Sequence, residues 1–325
     1  MMSMPIVSLI SLQDSSECAS NLLEAARTLG FVYITSEGSN ISTEKIDRMF
    51  QLSKKFFSSP REEKEKCRIS ADNKGWSSMH SETLDPQNQR RGDFKEAFNF
   101  GEFKDGKAQQ PMPVALSEHE AELSEFADLC HSLCLKLLRL FAIALKIDHS
   151  EGGEDWFTSR HSDNGPSGSI LRLLHYPSLP ADSDYSPTLD IRAGAHSDYG
   201  SVTLLFQRAG EPGLEIHHPV TKTWSPVPVL KDAILVNIGD LLSYWTAGLL
   251  RSTIHRVTFP KTPEVAPNDR YSIVYFCHPE NSTLLTPIPS EVVKGRGDRG
   301  ANDIEKTLTA DDHLRGRLKA TYGWK

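Results

Sequence analysis

The chain has 325 residues, with 36 Lys and Arg against 43 Asp and Glu for a formal charge of −7. Its 38% hydrophobic and 24% charged residues are the composition of a globular protein long enough to bury a substantial core, which excludes disordered, collagen-like and coiled-coil readings. A mildly acidic chain without a basic block lacks the clustered Lys and Arg that phosphate neutralisation requires, so nucleic acid is not an expected partner.

Met1 to Leu12 has no basic n-region and only a short apolar run, so no signal peptide is expected. No stretch reaches the ~18 apolar residues of a membrane span. Cys18, Cys67, Cys130, Cys134 and Cys277 are odd in number and scattered, which suits a reducing cytoplasm rather than a disulfide framework. Cys130 and Cys134 stand four apart in a helical pattern and read as small core residues.

In chain order, Pro5 to Ile10 reads as a short strand and Ser15 to Leu29 as an amphipathic helix stopped by Gly30. Phe31 to Thr35 is a β-branched and aromatic strand. Ser42 to Phe57 is a second helix with Ser42 or Thr43 as its cap, and Arg61 to Lys66 is a solvated helical face. Residues 71–115 are polar, punctuated by Gly and Pro and weakly periodic, the pattern of a disordered or a functional loop region. Ser117 to Ile147 predicts one long helix whose stripe of Leu123, Phe126, Cys130, Leu133, Leu137, Leu140 and Ala144 can back a sheet.

Beyond Ser169 the character changes to short hydrophobic runs separated by turn signals: Ile170 to Tyr176, Ser201 to Phe206, Gly213 to His217, Ala233 to Asn237, Ser252 to Val257 and Tyr271 to Cys277. That spacing predicts an antiparallel barrel or sandwich rather than βαβ units. Ser183 to Leu189 and Lys261 to Asn268 read as loops, and Asp311 to Thr321 as a closing helix. The expected class is α+β, mainly β: an N-terminal helix-and-strand region over 1–115 packs on a core over 116–325, the whole forming one compact unit.

The chemistry concentrates in Arg192-Ala193-Gly194-Ala195-His196-Ser197-Asp198-Tyr199-Gly200. On an extended strand, positions i and i+2 project to one face, so His196 and Asp198 can converge on one ion while Ser197 points away. A third ligand is available far downstream in His255, which shares a predicted strand face with Thr253 and Val257. Two imidazoles and one carboxylate on one face of an octahedral ion leave positions open, the arrangement of non-haem Fe(II) oxygenases. Each motif alone also fits a surface His–Asp pair or a hydrogen-bonded core histidine. Arg270 and Ser272 then share a strand face, a guanidinium fork beside a hydroxyl, which suits a carboxylate; a surface salt bridge is the alternative for a single Arg.

The order H-x-D, H, R-x-S resembles the iron- and 2-oxoglutarate-dependent dioxygenases of the isopenicillin N synthase-like superfamily. The similarity extends through Leu171-Arg172-Leu173-Leu174-His175-Tyr176-Pro177, Gly200 to Leu205, Asn237 to Leu242 with Trp245, Gly30 to Tyr33, and Lys95 to Phe98. It is nearest to microbial and fungal members, among them a thymine 7-hydroxylase and secondary-metabolite oxygenases.

The resemblance implies a double-stranded β-helix (jelly-roll) core with flanking N-terminal helices. It implies Fe(II) held by His196, Asp198 and His255, and 2-oxoglutarate held by Arg270 and Ser272 with Tyr176 as a further donor. O2 is the oxidant, ascorbate a supporting reductant, and a small organic molecule the substrate, hydroxylated as succinate and CO2 are released. Two departures stand out: Leu174 replaces an Asn that many members use near the co-substrate, and Ser36-Glu37-Gly38 replaces an Asn-His-Gly loop. For the substrate, Arg192 is aimed at the cavity if its strand is continuous, and Phe98, Phe100 and Phe276 are candidate walls that also read as core. The alternatives are an isopenicillin N synthase-type oxidase that does not use 2-oxoglutarate, a zinc hydrolase with a His2Asp site, and a non-catalytic small-ligand-binding protein on the same scaffold.

Overall fold

A computed structural model describes residues 7–162, 165–179, 184–186, 190–260, 268–294 and 308–322. The N-terminal part carries β1 (Leu9–Ile10), α1 (Ser16–Thr28), β2 (Phe31–Thr35), α2 (Thr43–Phe57), α3 (Arg61–Glu65), β3 (Gly75–Ser77), β4 (Glu96–Phe100) and a small hairpin of β5 (Phe103–Lys104) and β6 (Lys107–Ala108). After α4 (Glu120–Ala144) come β7 (Ile170–Tyr176), β8 (Ala193–His196), β9 (Val202–Gln207), β10 (Leu214–His217), β11 (Trp224–Pro226) and β12 (Ala233–Ile238). The chain continues through α5 (Asp240–Trp245), β13 (His255–Val257), β14 (Arg270–Cys277), α6 (Glu291–Lys294) and α7 (Ala310–Tyr322).

The strands form two facing sheets, a jelly roll. The larger has the order β1-β2-β12-β9-β14-β7-β4-β3 and the smaller β11-β10-β13-β8. Strand periodicity sorts the side chains of the large sheet. Leu171 and Leu173 of β7, Leu204 and Phe206 of β9, Ile234 and Val236 of β12, and Ile273 and Tyr275 of β14 face outward into a core shared with the helices. The alternate positions, Arg172, Leu174 and Tyr176, Thr203 and Leu205, Asn237, and Arg270, Ser272, Val274 and Phe276, face inward and line a cavity between the sheets.

Local sequence explains the helical layer. Ser15 caps α1 by accepting from the Cys18 N–H at 3.1 Å, and Gly30 ends the helix at φ +75°. A Cβ at Gly30 would lie 2.0 Å from the Arg251 carbonyl oxygen, so only glycine lets β2 start at once against the segment that carries Arg251. The stripe of α4 is buried as far as Leu140, with Ala144 half-buried, and Phe126 packs on Phe206 with ring centroids 5.2 Å apart. Cys130 and Cys134 are fully buried members of that core.

Several expectations need correction. The long helix is shorter, because Val114–His119 forms a 3-10 turn before α4 and the chain leaves the helix at Leu145. Residues 71–115 are not a bare loop: β3 and β4 extend the large sheet, and charged residues of the segment are buried in pairs, Lys95 with Glu82 at 3.1 Å and Glu96 of β4 with Lys64 of α3 at 2.9 Å. Charged residues in that segment hide its strand character because they compensate one another inside. The first strand is only Leu9–Ile10, with Val7 and Ser8 outside it and residues 5–6 outside the described residues, as is most of the two expected loops, 183–189 and 261–268.

Candidate metal centre and its cavity

β8 ends at His196, and Asp198 lies two residues beyond that end, outside the strand. The strand geometry expected to join the two is therefore not what joins them; the contact with α5 is. The Asp240 N–H donates to the Asp198 carbonyl at 2.7 Å and the Leu241 N–H to the Gly200 carbonyl at 3.1 Å. This close approach needs glycine, since a Cβ at Gly239 would sit 2.2 Å from the Gly200 oxygen. The strand expected from Ser252 begins only at His255, which pairs directly with His196 across β13 and β8.

Both imidazoles are fixed from behind. His196 donates Nδ1–H to the Gly194 carbonyl at 2.7 Å, and His255 donates Nδ1–H to the Thr253 carbonyl at 3.1 Å. Each Nε2 therefore carries its lone pair toward the cavity. Oδ1 of Asp198 faces them at 3.8 Å from His196 and 3.7 Å from His255. Oδ2 accepts from Thr203 Oγ1 and Asn237 Nδ2, both at 2.7 Å. The three ligand atoms lie within 4.8 Å of one another, the one such group among the described residues. Two neutral imidazoles and one carboxylate fit a divalent transition ion such as Fe(II) better than the all-oxygen shells of Mg2+ or Ca2+.

Burial, aided by His255, pushes His196 down to about 3, so it is neutral at pH 7. Burial opposes ionisation of Asp198, but the two imidazoles and the hydrogen bonds from Asn237 and Thr203 outweigh it and hold the carboxyl below its usual range. His278, also on the cavity wall, is pushed down to about 3 by burial, with His313 and His161 adding to the effect. Its unfolded value is near 6.5, so the unfolded chain binds the extra proton between those two values. Stability from this group is complete above pH 6.5 and is lost as pH falls toward 3. Thermal unfolding of metal-free protein should show Tm falling below pH 6.5, with His278→Asn removing up to about 1.4 kcal/mol per pH unit from that slope. An unchanged slope would contradict a buried neutral His278.

The cavity encloses about 1040 Å3 of empty space, its open mouth included. At one end Arg270 is 1% exposed. It donates to Ser272 Oγ and Gln207 Oε1, both at 3.3 Å, and its guanidinium lies 4.9 Å from the Tyr176 ring. Burial lowers its pKa from the usual arginine value. At the other end are Tyr199, Phe276, His278 and Arg172, with Leu314, Leu318 and Thr321 of α7. Arg317 ties α7 to the centre, pairing with Asp240 at 3.0 Å and donating to Ser197 Oγ at 3.3 Å.

The cavity thus brings together His196, Asp198, His255, Arg270, Ser272, Tyr176 and Phe276. It does not include Phe98 or Arg192. Phe98 packs outward on Phe56 and Phe100, because strand alternation gives the inner positions of β4 to its neighbours. Phe100 lies in the same outward core. Arg192 precedes β8 and is buried behind the cavity wall, donating to the Pro177 and Asn268 carbonyls. Leu174, at the position where many family members have Asn, lines the cavity.

Sequence reasoning assigned no part to Thr203 and Asn237, although an Asn inside the apolar run Ala233–Ile238 signals a buried polar contact. It also missed Arg172, an Arg at an inward position of β7, and the cavity-facing residues of α7.

Comparison with known proteins agrees with this geometry. Residues 167–279 match the model of the 2OG-Fe(II) oxygenase superfamily, and residues 4–118 that of the non-haem dioxygenase in morphine synthesis N-terminal region. The chain is 39% identical to a UPF0676 protein of Schizosaccharomyces pombe, over 97% of this chain and 92% of that protein. It is 30% identical to the 2-oxoglutarate-dependent dioxygenase gloF of Glarea lozoyensis, over 93% of this chain and 92% of the other. A full-length Neurospora crassa protein, solved in complex with alpha-KG and thymine, superposes with a TM-score of 0.81 at 27% identity, covering 98% of both chains.

Proposed function

The chain belongs to the 2OG-Fe(II) oxygenase superfamily, and we propose that His196, Asp198 and His255 hold its ferrous ion while Arg270, Ser272 and Tyr176 hold 2-oxoglutarate. The observation that carries the reading is two Nε2 lone pairs and one carboxylate oxygen facing one another at 3.7 and 3.8 Å at the wall of a cavity that ends in a buried arginine. Fe(II) with 2-oxoglutarate and O2 supplies the oxidation of a substrate C–H bond, with hydroxylation as the outcome and succinate and CO2 as co-products.

The protein's own residues do the arranging. Thr203 and Asn237 keep one Asp198 oxygen occupied, so the other stays directed at the imidazoles. Asn237→Ala should weaken Co(II) binding about 10- to 100-fold, the usual cost of losing a partner that orients a ligand; a spectroscopic titration matching the parent would show that Thr203 alone suffices. Arg270 and Ser272 offer a charged fork and a hydroxyl to the far carboxylate of the co-substrate. Leu314 and Leu318 cover the far end of the cavity and help exclude water.

The substrate is a small neutral molecule with polar groups on one edge. Arg172 and Lys95 reach this end of the cavity already paired, Arg172 with Glu82 and Lys95 with Glu82 and Asp93, so the wall carries balanced charge. Tyr199 and Phe276 supply aromatic surface for a flat ring. A pyrimidine base or a small natural product fits this description, as does the thymine bound in the Neurospora crassa structure. Cytoplasmic residence fits five cysteines that are all free and buried. Among the described residues, no helix is long and apolar enough to cross a membrane. The test is a panel of bases, amino acids, flavonoids and terpenoid acids, assayed for succinate release with Fe(II), ascorbate and 2-oxoglutarate. Stimulation by a neutral heterocycle supports the reading; stimulation by organic acids alone overturns the substrate class.

A further inference from the structure

We propose that Arg192 is a second buried cation serving the distal carboxylate of the co-substrate, a positioning residue that acts through Arg270 and Tyr176. This rests on the reading of Arg270 as the carboxylate anchor. Arg192 is 1% exposed. Its Nη2 donates to two carbonyls, Pro177 and Asn268, each at 3.2 Å. Those residues flank the anchor: Pro177 follows Tyr176 at the end of β7, Asn268 precedes β14 by two positions, and Tyr176 and Arg270 are cross-strand partners. One guanidinium thus clamps the two chain ends that carry the proposed contacts.

The charge of Arg192 is harder to account for by scaffolding. Among the described residues, no carboxylate lies within salt-bridge distance of it, its Nε has no hydrogen-bond partner, and its guanidinium lies 5.7 Å from the Phe259 ring. The Nε of Arg270 is likewise without a partner. The two buried guanidiniums, Arg270 lining the cavity and Arg192 behind its wall, repel each other. The carboxylates that act on them, Asp269 and Glu211, are bonded elsewhere, to His175 and Ser178 and to Arg208 and Tyr271. Among the described residues, neither guanidinium therefore has a direct ion-pair partner until an anion arrives. Burial, reinforced by the neighbouring Arg270, lowers Arg192 to about 10. A carboxylate at Arg270 relieves both, which ties the affinity of that end to a charged ligand. A clamp needing only its hydrogen bonds would be served by a neutral donor.

The test is binding of 2-oxoglutarate and of 2-oxopentanoate, which keeps the keto acid but lacks the distal carboxylate, to the Mn(II)-loaded full chain by calorimetry. Arg192→Gln keeps a donor for the carbonyls and removes the charge. It should weaken 2-oxoglutarate about tenfold, leave 2-oxopentanoate unchanged, and leave the metal-free Tm equal or higher. Arg192→Lys, which keeps the charge, should retain the parent's discrimination between the two acids. If Arg192→Gln does not fold, Arg192→Met serves the same comparison. Equal weakening of both acids, or no weakening of either, overturns the proposal and assigns Arg192 to the scaffold. Failure of the parent to prefer 2-oxoglutarate over 2-oxopentanoate sinks the reading of Arg270 itself.

Discussion

Asp198→Ala is expected to abolish tight metal binding and all metal-dependent turnover. The carboxylate is the only anionic ligand among the three candidates, and its Oδ1 faces both histidine Nε2 atoms. Loss of a residue that merely orients a ligand costs about 10- to 100-fold in affinity, so loss of the ligand itself should exceed about 100-fold. Thr203 Oγ1 and Asn237 Nδ2 would also lose their acceptor, costing about 1–3 kcal/mol per unsatisfied buried donor. Circular dichroism must therefore accompany a Co(II) or Mn(II) titration. A folded variant with the parent's metal affinity, decarboxylating 2-oxoglutarate at the parent's rate, would refute the ligand set.

Arg270→Met should raise the dissociation constant for 2-oxoglutarate by at least about 30-fold, since removing one partner of a buried charge pair costs roughly 2–5 kcal/mol. The metal-free protein should not lose stability, because the variant removes a charge that is 1% exposed and has no salt bridge among the described residues. Replacing a buried charge that has no direct ion-pair partner by an apolar chain of similar length is neutral or stabilising. Weaker binding with an equal or higher Tm is the signature to look for. A lower Tm with unchanged affinity would make Arg270 a structural residue, and an oxidase that dispenses with 2-oxoglutarate would then return as a reading. Succinate formed per O2 consumed separates the two directly.

Much of the architecture was legible because buried strands leave apolar runs of strand length between turn residues. The runs at Ile170, Ala233 and Tyr271 stand out as short, nearly continuous apolar stretches between turn signals, because both faces of the large sheet are covered, one by the helices and the other by the second sheet and the cavity. Segment 71–115 was opaque for the opposite reason. Its buried residues include charged ones that neutralise one another, Lys95 against Glu82 and Asp93, and such pairing has no periodic signature. Phe98 misled because an aromatic in a strand carries no mark of which face is buried against helices and which lines a cavity; only the pairing of β4 with β7 decides it.

The sequence by itself determined the types and order of the proposed ligands, because the chemistry of a ferrous site restricts donors to a few residues that stand out among apolar runs. What brings them together was decided only in the tertiary structure. Asp198 reaches the imidazoles from an irregular segment braced by α5 rather than along a strand, and His255 meets His196 through the pairing of β13 with β8. The same holds for the second arginine and the helix over the cavity: Arg192 is drawn behind the wall and α7 is folded back over the mouth by contacts between residues far apart in the chain. Local spacing cannot encode such contacts, because they form only once the two sheets have closed on each other.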